Sequence, residues 1–137
     1  MRWSSRGERR SGDDRGAAMV EFALVLPILV MLLVGIIEFG SAYNTQLALQ
    51  ASAREGARAA ALRRSPAEVE SAARNAASPH GTEIAVDLSG ADCPATSEPW
   101  AGDEAEVTVS KDFTFEIPFV SLGTVELHAT GVMRCGA

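Results

Sequence analysis

The chain has 137 residues, a formal net charge of −6 and two cysteines, enough for one small folded body beside any membrane segment and too little for a multidomain enzyme. The charge is uneven: residues 1 to 16 hold five arginines and a local balance of +2, so the remainder carries −8. That remainder has Lys111 as its only lysine and no basic stripe with interleaved aromatics, which argues against nucleic-acid binding.

The first element is apolar. Phe22 to Ile37 is a run without a charge, about 24 Å as a helix, and extending it back through Ala17 to Glu21 gives about 32 Å, enough for the hydrocarbon core of a bilayer. Arginines at positions 2, 6, 9, 10 and 15 precede it, so the positive-inside rule keeps the N-terminus in the cytoplasm and exports the residues after Glu38. Glu21 then falls inside the span. A charge at mid-membrane costs about 2.5 to 3.5 kcal/mol on insertion scales, less near a helix end. Glu21 either lies in the headgroup layer or pairs with a cation inside a membrane assembly. Pro27 removes one backbone hydrogen bond and predicts a kink that membrane helices tolerate.

Two processing patterns fit this segment. The small residues Gly40 and Ala42 could end a secretory signal peptide cut after Ala42. A cut after Gly16 would instead retain the apolar run, expose the α-amino group of Ala17 and make Glu21 the fifth mature residue. In an assembly of parallel helices, one subunit's amino terminus can then sit beside a neighbour's glutamate.

Beyond Glu38, SAYNTQLALQASAREGARAAALRR is rich in good helix formers, and the helix is expected to continue out of the membrane. Leu49, Ala53, Ala57 and Ala60 form one small-residue face. Arg54 and Arg58 stack on another, which reads as a solvated face or, alternatively, a partner-binding one, and Glu55 can reach Arg58 for about 0.2 to 0.5 kcal/mol. Gly56 weakens the helix by about 1 kcal/mol but admits a close neighbour. Ser65, Pro66 and Glu68 start a second short helix that should stop near Ser78 and Pro79.

After Gly81 the period changes to alternation. Ile84, Val86 and Leu88 lie on one side, with Glu83, Ala85 and Asp87 on the other. Val107 and Val109 alternate likewise, as do Phe113, Phe115 and Ile117, and then Val125, Leu127 and Ala129. These predict short half-buried antiparallel strands, separated by the loop 89 to 103 and a turn around Pro118 to Gly123. Trp100 is expected to cover an end of the sheet. Cys93 in the loop and Cys135 past the last strand allow one pairing, expected as a disulfide that pins the C-terminus. The fold class is therefore α+β.

No catalytic constellation is present in the sequence. Ser52, Ser65 and Ser71 sit in helical sequence without a nucleophile elbow, His80 and His128 lack local partners and zinc spacing, Asp103 and Glu104 read as solvated, and no glycine-rich phosphate loop occurs. No cofactor or metal is expected, and the chain reads as a non-enzyme.

RGAAMVEFALVLPILVMLLVGIIEFG followed by QASAREGARAAA resembles the TadE-like pseudopilins of the tight-adherence (Tad, Flp-type) pilus system, strongly over residues 15 to about 62 and more loosely through the tail ending in LHATGVMR. The resemblance implies a minor pilin-like subunit, cleaved between Gly16 and Ala17 by a membrane prepilin peptidase on the cytoplasmic side. It gives Glu21 the role of neutralising a neighbouring N-terminus, for assembly or for peptidase recognition. Its partners would be other pilins or pseudopilins, the Tad membrane machinery and the lipid bilayer. The expected organisation is a basic leader at 1–16, a transmembrane helix at 17–38, an extended helix at 39–64 and a small extracytoplasmic α+β domain at 65–137, like a pilin reduced in size. The alternatives are a stand-alone anchored protein that binds an envelope or extracellular partner, and a secreted domain freed from its signal peptide.

Overall fold

The computed structural model describes residues 13–81, 83–94, 102–117 and 120–136. Most of the basic leader, Trp100 and the tip of the turn at 118 and 119 lie outside them. The described elements are α1 (Asp13–Ala61), α2 (Pro66–Ala76), β1 (Ala85–Gly90), β2 (Glu104–Ile117) and β3 (Val120–Arg134). The class is α+β, as the sequence predicts.

Helix α1 runs 49 residues without interruption, through Pro27. Its outer half carries the core. Leu49, Ala53, Ala57 and Ala60 are each 2% exposed or less, because small side chains at helical spacing let other backbones approach closely. Gly56 belongs to the same face, where a Cβ would stand 3.0 Å from the Val107 side chain and 3.3 Å from that of Ala73. Arg63 ends the helix in the left-handed region, φ 55°, where its amide donates to the Ala60 carbonyl and that of Arg64 to the Ala59 carbonyl. This is a Schellman closure.

Helix α2 starts at the capping signal. The Glu68 carboxylate accepts from the Ser65 amide at 3.0 Å and from the Ser65 hydroxyl at 2.8 Å, while the Glu68 amide donates to the Ser65 carbonyl. These hydrogen bonds hold the Glu68 carboxyl below its ordinary value of 4.5. Val69 and Ala73 are buried, and the buried Ser52 hydroxyl of α1 donates to the Ala73 carbonyl at 2.7 Å. Ser52 is thus a helix-to-helix link.

The sheet has the order β1-β2-β3, antiparallel throughout. Ala105, Val107 and Val109 of β2 are fully buried on the face towards the helices, and Ile84, just before β1, is buried beside them. The opposite face is polar, with cross-strand hydroxyl pairs Thr108–Thr130 at 2.9 Å and Thr114–Thr124 at 3.1 Å. Such alternation suits a sheet with one face on a core and one in water.

The strands depart from expectation in length. The alternations at 107–109 and 113–117 belong to one 14-residue strand, paired with a 15-residue β3, so the sheet is dominated by a long hairpin and not by short strands. A register shift between Thr114 and Glu116 lets the ladder continue past a local irregularity. Val125, expected on the covered side with Leu127 and Ala129, is 46% exposed. It lies at the far end of this hairpin, opposite Phe113, beyond the buried core.

Strand β3 runs beside α1 in the same direction. A Cβ on Gly131 would overlap the Ala53 carbonyl, and the Gln46 side-chain amide donates to the His128 carbonyl at 2.8 Å. Three strand residues climb about 10 Å, as do seven helix residues, so strand and helix advance together. At the upper end Gly136 donates to the Ala61 carbonyl and Cys135 to that of Asp103. The Cys93–Cys135 disulfide, with a Cα–Cα distance of 5.6 Å, joins the segment after β1 to the end of β3.

Candidate functional site: the apolar half of the long helix

Among the described residues the first half of α1 is bare up to Leu33. Residues 16 to 33 are all exposed, including Leu24, Ile28, Leu29 and Leu32 at 59% or more. Within Gly16–Ala61 lies a window long and apolar enough to cross a membrane, none of it buried. A water-facing helix with this surface would forfeit about 1.5 to 3 kcal/mol per large apolar side chain, so a lipid or protein environment must cover it.

Gly16, Ala17 and Glu21 are exposed in this segment. Ala17 and Glu21 share a face, being four residues apart on a helix. Among the described residues Glu21 has no ion-pair partner. A Cβ on Gly16 would meet no atom within 4 Å. Between Gly16 and Ile37 Glu21 is the one acid on an apolar helix, a feature that is costly in a bilayer unless a cation meets it.

Other candidate residues fall into the folded body. The two cysteines come together as the bridge. The histidines stay apart: His80 Nδ1 lies 3.1 Å from Lys111 Nζ, whereas His128 is exposed and contributes its backbone carbonyl to Gln46. Lys111, only 12% exposed at its side chain, also donates to the Glu83 carboxylate, which holds that carboxyl below its ordinary value of 4.5. Among the described residues no group of three His, Cys, Asp or Glu side chains is placed to hold a metal. Arg54 and Arg58 are exposed as expected, with Arg58 3.8 Å from Glu55.

Sequence reasoning missed two polar anchors. Arg74 donates to the carbonyls of Gly81 and Ile84 at 3.0 and 2.8 Å and to Glu70 at 2.9 Å, tying α2 to the start of β1. The Lys111 cluster ties β2 to the same turn. Its signal was present, since Lys111 shares the odd-numbered parity of the buried Ala105, Val107 and Val109.

Residues 16–58 match the family model described as TadE-like protein. In that stretch the chain is similar to TadE-like proteins. The match covers nearly all of α1, both its exposed apolar half and its packed half, and stops before α2 and the sheet. No curated protein and no solved structure matches the chain. The matched segment is therefore the long helix, and the family description bears on that helix rather than on the folded body.

Proposed function

We propose that this TadE-like protein is a minor pilin-like subunit supporting biogenesis of a tight-adherence pilus. It is anchored by residues 17–38, with residues 1–16 as a cytoplasmic leader and residues 39–137 outside the cytoplasm. The observation that carries the reading is the continuous α1. From Gly16 to Ile37 it is apolar with Glu21 as its single acid, and its outer half is the spine of the folded body. A prepilin peptidase cuts between Gly16 and Ala17. The new Ala17 amino group of one subunit then meets Glu21 of the next, in contact with pilins, pseudopilins and the Tad membrane machinery. Retention of the apolar half is supported by the Phe39–Phe115 contact, at 6.3 Å between ring centroids, which a cut after Ala42 would abolish.

The intact mass and N-terminal sequence of the protein from native membranes test this. Ala17 as first residue supports it. Tyr43 as first residue means a released domain, and an intact leader means a plain anchor. With processing in hand, Glu21→Ala should lower piliation while leaving cleavage and the folded body unchanged. Wild-type piliation by that variant would remove the charge role.

A further inference from the structure

The lower end of the β2–β3 hairpin stands at the level where the apolar run of α1 ends. Phe115 packs on Phe39, two residues beyond Ile37 at the end of that run. Phe113 packs edge-on against Phe115 at 5.1 Å, and Val125 is the ladder partner of Phe113. The ladder continues below these residues to the Ile117–Val120 pair, two further strand residues or about 7 Å. The same descent along α1 covers four to five residues and reaches about position 34. There Val34 and Gly35 become the first residues of the apolar half to lose exposure, followed by Glu38.

Residues 17 to 37 span about 32 Å of helix against about 30 Å of hydrocarbon, so positions 34 to 39 fall where acyl chains give way to headgroups. Aromatic side chains favour that layer. Phe39 and Tyr43 of α1 are 75% and 66% exposed, and Val125 is 46% exposed, so this end of the body presents apolar surface at that height.

We propose that Phe39, Tyr43, Phe113, Phe115 and Val125 form a lipid-contacting collar, by which the hairpin end enters the interfacial layer of the leaflet where the span ends and sets the height and tilt of the folded body. The proposal rests on the reading of α1 as a membrane span. The occupant is lipid because the collar is continuous with the apolar surface of α1 and lies level with its last turn. Glu38, Asp112 and Glu126 nearby are acidic, and the one nearby lysine, Lys111, is largely covered and paired with Glu83, so the collar acts through apolar burial and not through attraction to anionic headgroups.

The test uses the full chain with its disulfide intact, reconstituted in phosphatidylcholine vesicles and nitroxide-labelled at one added cysteine: Val125→Cys, Thr130→Cys or Leu29→Cys. Collisions with oxygen, which concentrates in lipid, are compared with those with a water-soluble nickel chelate. Labels at 29 and 125 should favour oxygen and the label at 130 should favour nickel. Thr124→Cys reads the same height if the Val125 variant fails to fold. Nickel preference at 125 with oxygen preference at 29 overturns the collar alone, while nickel preference at both overturns the span as well. Shielding at 125 from both reagents, with spin coupling between copies, assigns the surface to a second copy and overturns the lipid proposal.

Discussion

Gly131 is the residue on which the helix and the sheet depend most directly. Its missing side chain admits the backbone of α1, since a Cβ there would overlap the Ala53 carbonyl and crowd the Arg54 amide at 2.8 Å. Main chain cannot swing aside as a side chain can, so Gly131→Ala should cost at least about 1 to 3 kcal/mol, read as a lower midpoint of chemical denaturation in detergent. Gly56 makes an instructive contrast. Its neighbours are the Val107 and Ala73 side chains at 3.0 and 3.3 Å, which can shift by a few tenths of an ångström, and alanine there also gains helix propensity. Nothing in the sequence around Gly131 marks it, because TGV reads like any strand interruption. By contrast, the buried alanines of α1 are legible from their spacing alone.

At the scale of elements, the starts of α2 and β1 are held by carboxylates. Glu68 takes its hydrogen bonds from Ser65, and Glu83 is held first by its hydrogen bond from Lys111 and then by that cation's charge. Both carboxyls sit below the ordinary value of 4.5 in the folded protein. A depressed folded value favours the native state above the unfolded value, and that contribution disappears as pH falls through the folded one. Stability should therefore be level above about pH 5 and decline below about 4.5 on account of these groups, with Glu83→Gln reducing the slope of the acid limb in a denaturation series. The α2 signal was legible because a capping box is local in sequence. The Lys111 partners were not, since His80 and Glu83 lie 31 and 28 residues away and only the pairing of β1 with β2 brings them near.

For the whole molecule, the disulfide closes the end of the body far from the apolar half of α1. It links residues 42 apart, a loop whose closure is worth about 4 kcal/mol in the chain-entropy view. Cys135→Ser should lower stability by about 2 to 5 kcal/mol without altering membrane insertion, measured by denaturation and by membrane fractionation in parallel. Normal stability of that variant would mean that the contacts of Cys135 and Gly136 with Asp103 and Ala61 suffice. Local pattern alone determined the apolar run, the place of Glu21 within it, the small-residue face of α1, the second helix and the single possible cysteine pairing, because each depends on residues close in sequence or on there being no other cysteine. Only the tertiary structure decided that two separate alternations are one long strand, that Gly131 meets the helix backbone, and that the hairpin descends to the level of Phe39. Those features depend on register and on the parallel advance of β3 along α1, which are set by packing across the whole body and leave no local trace in the chain.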